Sequence, residues 1–163
     1  MLLKSTEVIA VLRGAGIESR KFSFSDEASH TITATDVYRV RNTLYTSLPP
    51  ELQDKKTSLG GRVENVPLYI AEVYDCDNHA FEMMTFAARV NAVTAVKKPK
   101  RAKGGILLGT ISYHSMGNGR FGPHATNIFI NHQRQVKFFE PGDGRIINLS
   151  DSEKETIWHG RFV

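Results

Sequence analysis

Residues 67–81, Pro-Leu-Tyr-Ile-Ala-Glu-Val-Tyr-Asp-Cys-Asp-Asn-His-Ala-Phe, change their hydrophobic period in mid-course. Up to Tyr74 the apolar residues follow one another as in an extended segment. From Asp77 onward they recur at helical spacing, at Ala80, Phe81, Met84, Ala87 and Ala88. Asp75 suits the N-cap, which places Cys76 in the first turn of a helix over about 76–96. Unpaired backbone N–H groups and the helix dipole favour a thiolate there. Asp75 and Asp77 oppose that trend, so a reactive Cys76 needs a cation beside it. Cys76 is the single cysteine of 163 residues, which excludes an intrachain disulfide framework and fits a reducing compartment. A lone cysteine is most often a small buried hydrophobe, so a chemical role depends on what the rest of the chain brings to it.

The length predicts a single domain over 1–163, large enough for a hydrophobic core. Hydrophobic content of 40% and charged content of 23% are those of an ordinary globular chain. No apolar stretch approaches the roughly 20 residues of a membrane span. Met1-Leu2-Leu3-Lys4 opens no signal peptide, because Glu7, Arg13 and Gly14 interrupt it, so a cytoplasmic location is expected. The net charge of +4 is local. Lys97 to Lys103 holds five of the 21 basic residues and leaves 16 against 17 acidic ones. That run reads as a solvated connection, and neither nucleic acid nor a membrane is expected as a partner.

Taken in order, residues 7–12 suit a short helix stopped by Gly14 and Gly16. Residues 21–34 suit a loop or an edge hairpin. Thr35 suits the N-cap of a helix over about 36–47, ended by Pro49-Pro50. Residues 51–66 are polar, carry Gly60-Gly61 and read as a loop. Ile106 to Tyr113, His124 to Ile130, Gln135 to Glu140 and Arg145 to Leu149 read as strands, with a turn at Pro141-Gly142-Asp143-Gly144. Ser150 to Ser152 suits the cap of a last helical turn, and Trp158 to Val163 a docked segment. The fold class expected is α+β, helices first and then an antiparallel meander. Its core is expected at Phe81, Met84, Ala88, Ile106, Leu108, Ile128, Ile130, Val136 and Phe138.

A hairpin centred near His132 would set His124 opposite Glu140 on one face of the sheet. A carboxylate beside an imidazole orients the ring and stabilises its charged form. A slip of one residue would separate them.

With Cys76 these residues follow the order of papain-like thiol hydrolases. The stretches Tyr-Asp-Cys-Asp-Asn-His-Ala-Phe, Pro-His-Ala-Thr-Asn-Ile-Phe-Ile and Phe-Phe-Glu-Pro-Gly-Asp-Gly resemble the compact papain-like cysteine peptidase domain found beside some fungal agglutinins and in small phage and bacterial proteins. The resemblance covers about 35–150 and leaves 1–34 as an N-terminal extension. It implies a papain-like fold with the cysteine helix packed on an antiparallel sheet. It further implies a thiol amide hydrolase with Cys76 as nucleophile, His124 as general base and Glu140 as orienter. Its substrate would be a protein or peptide, and hydrolysis is expected rather than transglutamination. No oxyanion glutamine precedes the cysteine; Tyr69 and Ile70 stand in that stretch. No cofactor and no metal are expected.

Three other readings compete. One is a bacterial cell-wall thiol amidase, which shares the chemistry. Another is a zinc site from Cys76, His79, His114 and His124. The third is a non-catalytic binding module on the same fold. Tyr74, Asp77, Arg120 and Phe121 are the expected substrate-binding or lid residues. Arg120 and Phe121 stand in a loop, Ser115 to Pro123, whose Gly117, Gly119 and Gly122 suit closure over a ligand.

Overall fold

The structure, a computed structural model, describes residues 1–24, 26–57, 63–70, 75–97, 104–117 and 121–162. In chain order the elements are β1 (Leu2–Lys4), α1 (Ser5–Gly14), β2 (Phe22–Phe24), β3 (Ala28–His30), α2 (Ala34–Ser47), β4 (Gln53–Thr57), β5 (Val63–Pro67), α3 (Cys76–Lys97), β6 (Gly105–Ile106), β7 (Leu108–Ser115), β8 (Gly122–Ile130), β9 (Val136–Glu140), β10 (Arg145–Ile147), α4 (Asp151–Glu155) and β11 (His159–Phe162).

Six strands form the main sheet, in the order β10-β9-β8-β7-β11-β2. Its centre is the antiparallel meander β7 to β10. The sheet is nevertheless mixed. β11 pairs antiparallel with β7 and parallel with β2, which corrects the wholly antiparallel sheet expected from the sequence. Gly160 in β11 lies under the Phe22 ring, where an added Cβ would overlap it. β1, β3 and β6 form a second small sheet and β4 and β5 a third. The polar segment expected to be a loop after α2 is therefore this last hairpin, and residues 21–34 supply two strands.

Alternation along the strands divides the core in two. Leu108 and Phe129 join Val37, Leu44 and Tyr45 of α2 and Met83 and Ala87 of α3. Ile111, Ile128 and Ile130 join Val8 and Leu12 of α1. The buried stripe of α3 is Ala80, Met83, Met84 and Ala87, at helical spacing. Phe81, expected in the core, is instead 50% exposed, because that stripe is centred one residue before the expected one.

Capping sets the helix starts. The Thr33 hydroxyl accepts from Asp36 N at 3.1 Å and opens α2, two residues before the expected cap. The Ser150 hydroxyl accepts from Glu153 N at 3.2 Å and opens α4. Leu48 ends α2, since the residue before Pro49 is pushed out of the helical region. The β8–β9 hairpin turns through Arg134, whose φ of 58° is left-handed. The Asn131 side-chain carbonyl accepts from Gln133 N and Gln135 N and holds that turn.

Tyr74, Arg120, Gly119, Gly60-Gly61 and residues 98–103 of the basic run lie outside the described residues.

Candidate functional site

Cys76 is the first residue of α3. The Asp75 carbonyl accepts the His79 N–H at 3.0 Å and closes the first turn, and Asn78 Oδ1 accepts the Asp75 N–H at 3.2 Å. The thiol is partly exposed. It lies near enough to the imidazole of His124 to raise that ring's pKa; His124 stands near the start of β8 and is 9% exposed. His124 Nε2 meets Glu140 Oε2 at 2.7 Å. The Tyr113 ring on β7 contacts the imidazole edge-on, with centroids 5.7 Å apart.

The hairpin brings this about in a register other than the expected one. Asn127 faces Phe139 and Ile130 faces Val136, so His124 and Glu140 are diagonal rather than opposite. The offset is an even number of residues, and both side chains keep the same face.

The electrostatics follow from these contacts. Burial pushes the His124 pKa down. The hydrogen bonds to Cys76 and Glu140, and the charges of both, outweigh it and raise the pKa to about 9. His124 is therefore an imidazolium at neutral pH, the cation that a thiol between two aspartates requires. Asp77 shares a hydrogen bond with Asp75, and that bond, with desolvation, pushes its carboxyl up. Burial lowers the pKa of His79, partly offset by its bond to the Leu68 carbonyl, to which Nε2 donates at 3.3 Å.

Cys76, His79, His124 and Glu140 line a cleft of about 530 Å³, a size typical of small-molecule sites. Its walls also include the rings of Tyr69 and Phe121, and Gly142 and Asp143 from the turn after β9. Phe121 is 84% exposed. Two buried polar side chains tie the walls together. Thr126 donates to the Phe139 carbonyl at 2.6 Å, fixing β8 on β9 beside Glu140. Asn127 Nδ2 donates to Ala80 O at 2.9 Å and Gly109 O at 3.0 Å, fixing α3 on the sheet.

Of the residues predicted from sequence, Cys76, His124, Glu140 and Phe121 come together at the cleft. Asp77 is exposed one residue beyond Cys76 and is not among the cleft walls. Tyr69 and Asp143 were not predicted as binding residues, and His79 was named only as a ligand of the rival zinc site, from its spacing to Cys76.

The four-residue zinc set is not assembled. Tyr113 pairs with His124 and His114 with Pro123, so neighbouring alternation turns His114 to the other face, where it contacts the Trp158 ring. Among the described residues, Asp75, Cys76 and Asp77 bring ligand-type atoms within 4.8 Å of one another. That is a partly exposed acidic cluster, which alone does not make a metal site.

Comparison with known proteins revises the functional expectation. No curated protein matches the sequence. Several solved structures are similar in fold, including these two. One is described as a PSL1a–E64 complex, at TM-score 0.64 and 19% identity, covering 99% of this chain and 51% of the other. The second is the lectin of Polyporus squamosus bound to the human-type influenza-binding epitope Neu5Aca2-6Galb1-4GlcNAc, at TM-score 0.63 and 20% identity, covering 99% of this chain and 49% of the other. The chain thus spans about half the length of these structures.

These findings overturn the assignment to a papain-like cysteine peptidase family and fold, and with it the expected hydrolase, thiol-protease and Cys-His-Glu catalytic-triad function. The sequence motifs had pointed to a peptidase domain found beside agglutinins, whereas the match is to an agglutinin family itself. The agglutinin C-terminal family model matches residues 61–146, and the chain belongs to that family.

Proposed function

We propose that this chain is a binding module that takes a carbohydrate in the cleft between the start of α3 and the β8–β9 hairpin. The observation that carries the reading is one of placement. The family match over 61–146 contains every described residue that lines the cleft, from Pro67 to Asp143. The lectin of similar fold is described with a sialylated trisaccharide, which supports a glycan over the protein or peptide substrate expected from sequence.

The cleft chemistry suits such a ligand. A sugar offers an apolar ring face and a rim of hydroxyls. Tyr69 and Phe121 present aromatic rings to the cleft, and rings of this kind combine apolar area with few rotatable bonds. His124, His79, Ser115 and Asp143 supply donors and acceptors around them. In this reading Cys76, His124 and Glu140 are binding groups. The His124 imidazolium is a hydrogen-bond donor held in place by Glu140, and the thiol is a small wall group.

The test is a glycan panel that includes sialylated and neutral oligosaccharides, read by ligand-detected NMR and by shifts of the His79 and His124 ring signals. Saturable binding that perturbs both histidines is expected. Absence of binding across the panel would overturn the reading. So would hydrolysis of a peptide amide by the wild type that is lost in Cys76→Ala.

A further inference from the structure

Arg41 stands on α2 and is 1% exposed. A buried guanidinium is costly unless its donors are satisfied. The Arg41 donors reach two consecutive backbone carbonyls. Nε donates to Pro141 O at 2.8 Å and Nη2 to Gly142 O at 3.1 Å. Nη1 donates to Asn42 Oδ1 at 3.3 Å, and the Cζ atom lies 5.1 Å from the centre of the Tyr45 ring.

The turn so gripped follows Glu140 directly. It closes with a 2.8 Å bond from Gly144 N to Glu140 O. Gly144 has a φ of +77°, and a Cβ added there would lie 3.1 Å from Arg41 Cζ. The turn is therefore wrapped on the guanidinium, with a glycine where a side chain would be both strained and crowded. Gly142 and Asp143, within the same turn, are cleft walls. A planar fork that engages two carbonyls fixes their direction, which the single point charge of a lysine does not.

We propose that Arg41 is a positioning residue for the cleft: its guanidinium locks the turn 141–144, and the locked turn holds the Glu140 carboxylate on His124 and keeps Gly142 and Asp143 in the cleft wall. The role lies beyond the glycan reading and rests on it only where ligand affinity is measured. Without ligand it is read from His124, whose ring faces Cys76 of α3, Glu140 of β9 and the Tyr113 ring of β7.

The experiment follows the His124 ring signals by NMR through a pH titration of wild type, Arg41→Lys and Arg41→Gln, with no ligand present. Wild type is expected to titrate near 9. In folded Arg41→Lys and Arg41→Gln the midpoint is expected to fall by about one unit or more, because Glu140 is no longer held against the ring. Should both variants fail to fold, Gly144→Ala crowds the guanidinium from the turn side and is expected to lower the same midpoint. An unchanged His124 midpoint in any folded variant of this set, whatever the loss of melting temperature, overturns the proposal. A second arm measures glycan affinity on the same proteins. Loss of glycan binding by the wild type itself would sink the carbohydrate reading and leave the titration result standing.

Discussion

The His124 imidazole and the Glu140 carboxylate meet at 2.7 Å although their strands hold them diagonal to each other rather than opposite. The pairing survives because the even offset keeps both side chains on one face, and because both are buried where competing water is scarce.

The first prediction is a pH dependence of stability. The folded pKa of His124 is raised to about 9, above the roughly 6.5 of an unperturbed histidine. Its contribution is therefore fully present below about pH 6.5 and is lost as the pH rises through about 9. Urea unfolding at several pH values between 6 and 9.5 should show this decline. In Glu140→Gln the same span should be flatter. A Glu140→Gln protein with an undiminished slope would show that Glu140 does not raise the His124 pKa.

Asn127 should be costly to remove. It has no exposed surface, and its amide donates to carbonyls of both α3 and β7. Asn127→Ala leaves the Gly109 carbonyl without that donor and loosens α3 on the sheet. A loss of about 1–3 kcal/mol is expected from chemical denaturation. A loss under about 0.5 kcal/mol would mean that the α3–sheet contact does not depend on this bridge.

Gly160→Ala tests the seam between β11 and β2. The new methyl would overlap the Phe22 ring, and overpacking of this kind costs about 1–3 kcal/mol. A lower melting temperature with native glycan affinity is the expected result, since Gly160 is not a cleft residue. Phe22→Leu should recover part of the loss in the double variant.

Phe121 and Tyr69 should matter for ligand and little for folding. Both are largely exposed, so truncation to alanine should change stability by less than about 0.5 kcal/mol. Each is expected to weaken glycan binding roughly fivefold, equivalent to about 1 kcal/mol, as read by calorimetry. Unchanged affinity in both variants would move the glycan away from this cleft.

Much of the site was legible because short-range patterns carry it. The period change at Asp75–Asp77 located the start of α3. Gly122-Pro123 and Pro141 bounded the strands bearing His124 and Glu140. The exact pairing was not legible, because the left-handed Arg134 is not a residue that announces a turn, and its φ sets the register. β4 and β5 were missed because Gln53 to Thr57 has no apolar alternation; its pairing with 63–67 is a backbone matter. Arg41 carried no signal in the sequence, since nothing near it announces carbonyl partners a hundred residues on. Family was the hardest inference. The motifs around Cys76, His124 and Glu140 carry an order of chemical groups, and that order alone does not settle what the protein does with them.

The parallel pairing of Phe22 with Gly160 also constrains how the molecule assembles in time. The meander from β7 to β10 joins strands that are neighbours along the chain and can form early. β2 is made long before β11 and has no place in the main sheet until β11 arrives between it and β7. Closing so long a loop before any pairing repays it is slow. On the ribosome, β2 therefore waits through the synthesis of nearly all the rest, and the main sheet is completed only when residues 159–162 emerge.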